Sequence, residues 1–519
     1  MLFHSPIFLY VFLPVTLVGF LLLEHRAAAG RAIGFLVLAS FVFYAWYNPL
    51  YLPLLLGSIL FNYGLGRLLA PERGFVGRYA LLVVGIAANL AMLGAFKYAD
   101  FAVRTLNWLG DLTLPELGIL LPIAISFFTF QQVAYLVDAY QGHATKRSFR
   151  AYALFVNFFP HLIAGPIVHH REMMTQFEPL LAGKRRGNEE IWTDLSVGFT
   201  FFTIGLVKKV LFADQFASWA DTAFGAAEAG VPLTLIEAWL GTACFTLQIY
   251  LDFSAYSDMA IGLARLFGIR LPINFNSPYK ATSIIDFWRR WHITLSRFLR
   301  DYLYVPLGGN RLGPWRRHIN IMIVMVLGGF WHGAAWTFVA WGALHGIYLV
   351  INHGYRALAH RYAFGLHPLL AGTLTLLAVM VAWVFFRAES FGSAVVMLKG
   401  LGGLNGVAMP LHWEPMFGGL AETAKGLGLS FAPVTAYHGS DQVLMVAAAF
   451  LLMWLLPNSQ EVMREWEPAL SNVRPPGGLA ARLAWRPSVL SGAALAGAAL
   501  LSSFYVIQGR PGEFIYFQF

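Results

Sequence analysis

The feature that most constrains this chain is a series of apolar stretches, each about as long as a helix that crosses a membrane. Such a helix needs about 20 apolar residues. Candidate spans cover 6–23, 33–48, 50–69, 79–97, 117–139, 193–212, 232–253, 368–386, 442–457 and 486–507. Only 12% of the 519 residues are charged, about half the usual share, which excludes a soluble globular enzyme. We predict an all-α, polytopic transmembrane helical bundle that forms a single membrane domain over 1–519.

Two apolar blocks do not fit a simple crossing. The block 151–168 is interrupted by Pro160 and by Gly165-Pro166. The block 319–351 is too long for one pass and too short for two, and arginines flank it on both sides. We predict two half-length, re-entrant helices of about 13 to 18 residues, or roughly 20–27 Å, that meet near Gly333. Non-helical backbone inside a bilayer must be buried in protein or line a cavity.

Basic residues mark one set of connecting loops as cytoplasmic by the positive-inside rule. Lys and Arg are concentrated in 24–32, 70–78 and 140–150, and are scarcer in 47–51, 98–116 and 213–231. The N-terminus is therefore predicted to be extracytoplasmic. The segment 388–441, which has no Arg, is placed on the same side. Lys208-Lys209 lies at the wrong end of its span for this scheme.

Net charge and cysteine content exclude further classes. We attribute the net charge of +9 to cytoplasmic loops and expect no nucleic-acid partner, because no basic patch interleaved with aromatic residues lies outside the apolar spans. The single cysteine, Cys244, excludes a disulfide framework and a Cys-based metal site, and we predict no metal. The first apolar stretch lacks a preceding basic segment and a clear cleavage site, so we interpret it as a retained helix.

Polar and aromatic residues are dense between about 248 and 346, and His332 is the strongest candidate there. It follows an apolar run and lies between Trp331 and Gly333 at the predicted break. An ionisable residue at membrane depth is costly and suggests function. An unperturbed imidazole has a pKa near 6.5 and suits general-base chemistry at neutral pH. The alternative is a neutral histidine hydrogen-bonded inside the bundle.

Three other histidines are secondary candidates. His292 lies in a Trp- and Arg-rich amphipathic segment. It could be an interfacial residue, or it could orient a base at His332 or bind an acyl carbonyl. His345, thirteen residues after His332, could line the same cavity, although a structural role is favoured. A structural role is also favoured for His161, beside Pro160.

Charged and polar residues around these histidines give two further sets. Four arginines on the inferred cytoplasmic side could bind the phosphates of a donor, bind anionic lipid head groups or pair with Asp286 and Asp301; they are Arg289, Arg290, Arg297 and Arg300. Candidates for lining a tunnel are Asp252, Tyr256, Asp258, Asn276, Trp331 and His345. For Asp252 and Asp258 the alternative is a buried polar network.

Four runs in the same order resemble the membrane-bound O-acyltransferase family. They are Leu251-Asp-Phe-Ser-Ala-Tyr-Ser-Asp-Met-Ala-Ile-Gly262, Phe287-Trp-Arg-Arg-Trp-His-Ile-Thr-Leu-Ser296, Tyr302-Leu-Tyr-Val-Pro-Leu-Gly-Gly-Asn-Arg311 and Leu327-Gly-Gly-Phe-Trp-His-Gly333. Within that family these runs resemble in particular the membrane subunit of bacterial alginate O-acetyltransferase. Further matches are Phe96-Lys97-Tyr98, Phe159-Pro-His-Leu-Ile-Ala-Gly-Pro166, Val384-Phe-Phe-Arg387 and Phe514-Ile-Tyr-Phe-Gln-Phe519.

This resemblance implies acyl transfer across the bacterial inner membrane. It implies that His292 and His332 are catalytic and face a central tunnel, with His332 essential. It implies acetyl-CoA as the cytoplasmic donor, and as acceptor a polysaccharide such as alginate or a periplasmic partner protein that passes the acetyl group on. Direct transfer and an acyl-histidine relay stay open. So do acylation of peptidoglycan, cellulose or teichoic acid, and a non-catalytic polysaccharide or lipid transporter.

Overall fold

The structure, a computed structural model, describes residues 1–26, 29–74, 76–144, 148–434, 436, 439–470, 482–509, 512 and 514–515. Lys146, Arg147 and the aromatic tail after Ile515, which entered the predictions above, lie outside these residues. Up to Glu228 the α-helices are Leu13–His25, Ala29–Ala45, Leu52–Leu69, Arg78–Leu93, Ala99–Gly110, Ile125–Tyr140, Phe149–Asn157, Phe159–Leu162, His170–Leu181, Asn188–Val207 and Asp214–Glu228.

After Glu228 the α-helices are Leu235–Leu266, Ile284–Arg290, Ile293–Leu299, Gly313–His332, Trp336–Tyr362, Pro368–Arg387, Phe391–Leu401, Glu414–Phe417, Leu420–Gly426, Ser440–Leu455, Ser459–Val462 and Val489–Gln508. Short π-helical segments are Phe8–Phe12, Gly94–Tyr98, Lys208–Ala213 and Arg300–Tyr304. The 3-10 turns are Pro49–Tyr51, Pro71–Arg73, Pro278–Lys280, Leu411–Trp413 and Arg464–Trp466.

The predicted all-α, polytopic membrane fold is confirmed. Six helical stretches in the described part of the chain are long and apolar enough to cross a membrane: Phe8–His25, Pro49–Leu69, Arg78–Gly110, Asn188–Glu228, Pro368–Arg387 and Val489–Gln508. Strand structure in the described residues consists of one small parallel pair, Val407–Pro410 with Leu429–Ala432, in register from Val407 opposite Leu429. This pair belongs to the segment that was predicted to lie outside the membrane.

The helix Leu235–Leu266, called the central helix below, forms the middle of the core. It runs thirteen residues past the predicted span 232–253, because the residues from Ser254 to Leu266 are all buried and no solvent-facing position ends the helix. It packs chiefly against the helices Asn188–Val207 and Asp214–Glu228.

The predicted span 117–139 is helical only from Ile125 onward, so its first part was wrong. Leu117 and Ile119 donate their backbone N–H groups to the carboxylate of Asp100, at 2.6 and 3.2 Å. Pro122 has no N–H to give. These backbone groups therefore find partners outside a helix, and the segment before Ile125 is irregular.

The predicted break in the block 319–351 is confirmed, but the half-length helices are wrong. The two arms of this hairpin are Gly313–His332, the first arm, and Trp336–Tyr362, the second arm. At 1.5 Å per residue they are about 30 and 40 Å long. The arms are longer because Arg316 and Arg356, which flank the apolar block in the sequence, are themselves helical.

Candidate active site

His332 is the last residue of the first arm and is 6% exposed. The helix ends there because Gly333 has an extended backbone, with φ −155°. A Cβ at Gly333 would lie 2.1 Å from the ring of Phe338, so only glycine fits. Aromatic rings surround the imidazole, at centroid distances of 5.0 Å from Trp331, 5.3 Å from Trp341 and 5.3 Å from Phe386.

His292 lies between two short helices, Ile284–Arg290 and Ile293–Leu299, and is fully buried. Its backbone is left-handed, with φ 42° and ψ 52°, which turns the chain sharply. The Asn274 side-chain oxygen lies 3.1 Å from His292 Nδ1 and also accepts from the Thr294 hydroxyl at 2.9 Å. The contact fixes the ring, and an accepting oxygen requires Nδ1 to carry the proton.

The structure brings the two predicted histidines together. Their ring centroids are 6.3 Å apart and the ring planes are inclined by 58°. The Trp331 ring is 6.5 Å from His292 and adjoins His332. Two imidazoles at this separation can act together on one substrate group. They could not do so if their motifs lay in separate parts of the bundle.

An open cavity of about 390 Å³ reaches His332. Its walls come from Tyr47, Asn48 and Tyr51, and from the irregular segment that continues into Ser126 and Phe127. Trp331, one of the predicted lining residues, also borders it. Whether the cavity continues as a tunnel toward the arginine-rich segment stays a prediction.

Lys97 and Tyr98 also hold the end of the first arm, although in the sequence they stand out only as part of a family motif match. Lys97 Nζ donates to the carbonyls of Trp331 at 2.7 Å and His332 at 3.0 Å. The Tyr98 hydroxyl donates to the carbonyl of Phe330 at 2.9 Å. In the sequence, the signal for these two residues is a lysine at the end of a predicted span that is followed directly by a tyrosine.

Three of the four predicted arginines have carboxylate partners. Arg290 pairs with Asp286 at 2.9 Å, Arg300 with Asp301 at 2.7 Å, and Arg297 with Glu172 at 2.7 Å. Arg289 is exposed, and no ion pair involves it within the described ranges. Pairing with Asp286 and Asp301, one of the three alternatives, is therefore observed. Donor binding by these residues stays a prediction.

The remaining lining candidates lie in buried networks. Asp252 is 2.8 Å from Lys209, and Asp258 is 2.7 Å from Lys208. Asn276 accepts from Asn458 at 2.9 Å, and Tyr256 stacks on Phe3 at 4.6 Å. Both aspartates thus match the alternative of a buried polar network. Whether any of these four lines a tunnel stays a prediction.

His345 and His161 contact neighbouring side chains away from the cavity. The indole of Trp288 donates to His345 Nδ1 at 3.3 Å, and Trp341 packs against both His345 and His332. His161 Nδ1 is 3.2 Å from the Gln131 amide. These contacts fit the structural roles that the sequence favoured. Within the described residues, no group of three or more His, Cys, Asp or Glu is placed to hold a metal ion.

The fold and the paired histidines define an integral membrane protein with a buried site that opens to one surface. The family model for membrane-bound O-acyltransferases matches residues 119–395, and the chain belongs to this family.

Individual relatives narrow the comparison to enzymes of the cell envelope. A peptidoglycan O-acetyltransferase of Helicobacter pylori is 44% identical over 79% of this chain and 81% of its own length. A probable alginate O-acetylase AlgI of Pseudomonas aeruginosa is 41% identical over 77% and 75%. A teichoic acid D-alanyltransferase of Streptococcus thermophilus is 27% identical over 44% and 56%. The chain is therefore an acyltransferase of the kind that acts on cell-envelope polymers.

Proposed function

We propose that this protein moves an acetyl group from cytoplasmic acetyl-CoA across the bacterial inner membrane for O-acetylation of an exported or envelope polysaccharide. The observation that carries the proposal is the pair of buried imidazoles, 6.3 Å apart, with His332 at an open cavity. Glycans with free hydroxyls, alginate or peptidoglycan among them, are the acceptor class that the relatives' names support.

The proposed chemistry makes one ester and breaks one thioester. His332 takes the proton from the attacking hydroxyl, the C–O bond forms, the C–S bond breaks, and the proton goes to the leaving thiolate. His292, with its proton on Nδ1, can orient His332 by accepting at Nε2, and it could bind the acyl carbonyl only as an imidazolium, in which Nε2 also donates. If His332 is itself acylated first, it acts as a nucleophile and the hydroxyl attacks in a second step. The aromatic rings around His332 exclude water, which protects the thioester from hydrolysis.

The position of the cavity supports delivery of the acetyl group to the outside. Its walls include Tyr47, Asn48 and Tyr51 of the loop 47–51, which is extracytoplasmic in the predicted orientation, and residues 120–124, which follow the extracytoplasmic loop 98–116. We assign this cavity to the acceptor hydroxyl, carried by the polysaccharide itself or by a periplasmic partner protein. The donor then enters from the opposite side, where Arg289 is exposed and, unlike the other three candidate arginines, has no carboxylate partner in the described residues. Its side chain is therefore available for a phosphate of acetyl-CoA or of a membrane lipid.

The direct test is acetyl transfer by the purified full-length chain in lipid nanodiscs, measured as thiol release from acetyl-CoA together with label on an added polysaccharide. Wild type is expected to release thiol, and His332→Ala is expected to lose at least about 100-fold in rate, as general-base residues typically contribute. His353→Ala is the matched control, because His353 lies near the far end of the second arm. Equal loss in both variants would contradict the assignment of His332.

The same proteins test the proposed donor. If wild type and His332→Ala both fail to consume acetyl-CoA, acetyl transfer from acetyl-CoA is refuted as the reaction of this protein. Mass spectrometry of secreted polysaccharide and of peptidoglycan, from cells with and without the protein, identifies the acceptor. Unchanged acetyl content in every envelope polymer would refute the proposed function.

A further inference from the structure

Lys97 is an ammonium group in apolar surroundings, and its position is unusual. It lies in the π-helical segment Gly94–Tyr98 at the end of an apolar helix. A lysine in such a place is costly unless polar groups surround it. In the part of the chain that the structure describes, no carboxylate pairs with Lys97. Its stabilisation must therefore come from other oxygen atoms.

Three oxygen atoms supply that stabilisation. They are the carbonyls of Trp331 and His332, at 2.7 and 3.0 Å, and the hydroxyl of Ser126 at 3.4 Å. The last carbonyls of a helix have no partner inside the helix and carry partial negative charge, so a cation is favourable there. Lys97 thus caps the first arm at the residue that was predicted to be catalytic.

Tyr98 extends the same cap by one residue. Its hydroxyl donates to the carbonyl of Phe330, and its ring stacks on the Phe330 ring with centroids 4.2 Å apart. The three consecutive carbonyls of Phe330, Trp331 and His332 are therefore held from one neighbouring segment.

We propose that Lys97 is a positioning residue, which fixes the end of the first arm so that the His332 imidazole stays at the cavity. This inference rests on the proposed function. Lys97 borders the same cavity as His332, but its Nζ donates to two carbonyls of the first arm and lies 3.4 Å from the Ser126 hydroxyl, so its hydrogen-bonding contacts are all to the protein. Its effect on the reaction therefore passes through His332. Loss of the cap frees the terminal turn and moves the imidazole.

The test compares Lys97→Met, Lys97→Arg and Tyr98→Phe with wild type in the nanodisc assay. Lys97→Met is expected to lower kcat about 10- to 100-fold, since a displacement of about 1 Å can cost that much. The KM for acetyl-CoA should change less than about twofold, because no ground-state contact is lost. Lys97→Arg keeps a cation at the helix end and should recover part of kcat. Lys399→Met, an exposed lysine, is the control.

A second measurement reports on His332 directly. The rate at which diethyl pyrocarbonate modifies His332, followed by peptide mass spectrometry, is expected to change in Lys97→Met and to be restored toward wild type in Lys97→Arg. A kcat for Lys97→Met within about twofold of wild type, or a raised KM with unchanged kcat, would overturn the positioning role. If Lys97→Met does not fold, Tyr98→Phe, which loses the hydrogen bond to the Phe330 carbonyl in the same cap, decides by the same two readouts, and wild-type values in it would overturn the positioning role.

The failure of this inference is distinct from the failure of the proposed function. Wild type without any acetyl transfer would refute the proposed function, yet the modification rate of His332 would still decide whether Lys97 positions that side chain. If wild type is active and the modification rate of His332 is the same in Lys97→Met as in wild type, the proposed function stands. Lys97 would then have no positioning role in it.

Discussion

The two histidines of the site are restrained in different ways at the residue scale. His332 is held by the end of a helix, whereas His292 is held by a left-handed backbone and by Asn274. The sequence was sufficient to select both histidines, because their motifs are long and specific. It could not identify Asn274, which lies 18 residues from His292, or Lys97, which lies 235 residues from His332. These contacts form only when the chain has packed.

Substitution of His292 can separate its backbone role from its chemistry. Asn tolerates a left-handed backbone better than other non-glycine residues, and a β-branched residue there is a genuine outlier. We expect His292→Asn to fold with higher stability than His292→Val, by about 1–2 kcal/mol. Acetyl transfer should be lost in both. Thermal unfolding in detergent and thiol release are the measurements, and full activity of His292→Asn would show that the imidazole is dispensable.

At the element scale, the hairpin illustrates what a pattern of charge can and cannot predict. The sequence correctly placed the break at Gly333 because a histidine and glycines interrupt the apolar run. It made the arms too short because Arg316 and Arg356 were interpreted as loop residues. Long basic side chains at a helix end can keep their charge in water while the backbone stays helical, so the charge boundary and the helix boundary differ.

The irregular segment before Ile125 shows a complementary failure. Its sequence is apolar enough to predict a helix, and the carboxylate that accepts its N–H groups belongs to Asp100, seventeen and nineteen residues earlier. No local pattern contains that information. The consequence is functional, since a helix starting at 117 would not leave this stretch of backbone to line the cavity.

The two arms approach each other through glycines, which gives a prediction with a matched control. A Cβ on Gly342 would lie 2.3 Å from the Met325 carbonyl oxygen, whereas nothing lies within 4 Å of a Cβ on Gly354 in the same helix. Gly342→Ala should destabilise the protein by about 1–3 kcal/mol through overpacking. Gly354→Ala should be neutral or stabilising by up to about 1 kcal/mol, from helix propensity alone.

Thermal unfolding of the purified variants measures both effects. Because the first arm, against which Gly342 packs, ends at His332, Gly342→Ala should also lower kcat, and Gly354→Ala should not. Equal stability of the two variants would contradict the close approach of the arms at Gly342.

At the scale of the whole molecule, buried ion pairs connect segments that are far apart in sequence. Lys209 lies 2.8 Å from both Asp252 of the central helix and Asp214. The backbone N–H of Ile515, near the C-terminus, donates to Asp252 at 2.8 Å. The Lys208-Lys209 pair conflicted with the positive-inside scheme. Its side chains point at aspartates of the central helix, so they do not report on which side a loop lies.

Removal of Lys209 tests how much this connection contributes to stability. Lys209 is 3% exposed and Asp252 2%, so Lys209→Met leaves a buried carboxylate without its cation, at a cost of about 3–5 kcal/mol. Lys208 is the matched control. It is 22% exposed, and its partner Asp258 also accepts from Ser459 at 2.7 Å and Gln460 at 3.3 Å. We therefore expect Lys208→Met to destabilise the protein less.

The measurement is the midpoint of thermal unfolding for each variant in one detergent, with the double variant Lys209→Met/Asp252→Asn as a further comparison. Neutralising Asp252 removes the uncompensated charge, so the double variant should be more stable than Lys209→Met alone. The reverse order of Lys208→Met and Lys209→Met would contradict the ion-pair argument. If the double variant is no more stable than Lys209→Met, the uncompensated charge of Asp252 plays no part. The loss of stability would then come from packing around the aliphatic part of the Lys209 side chain.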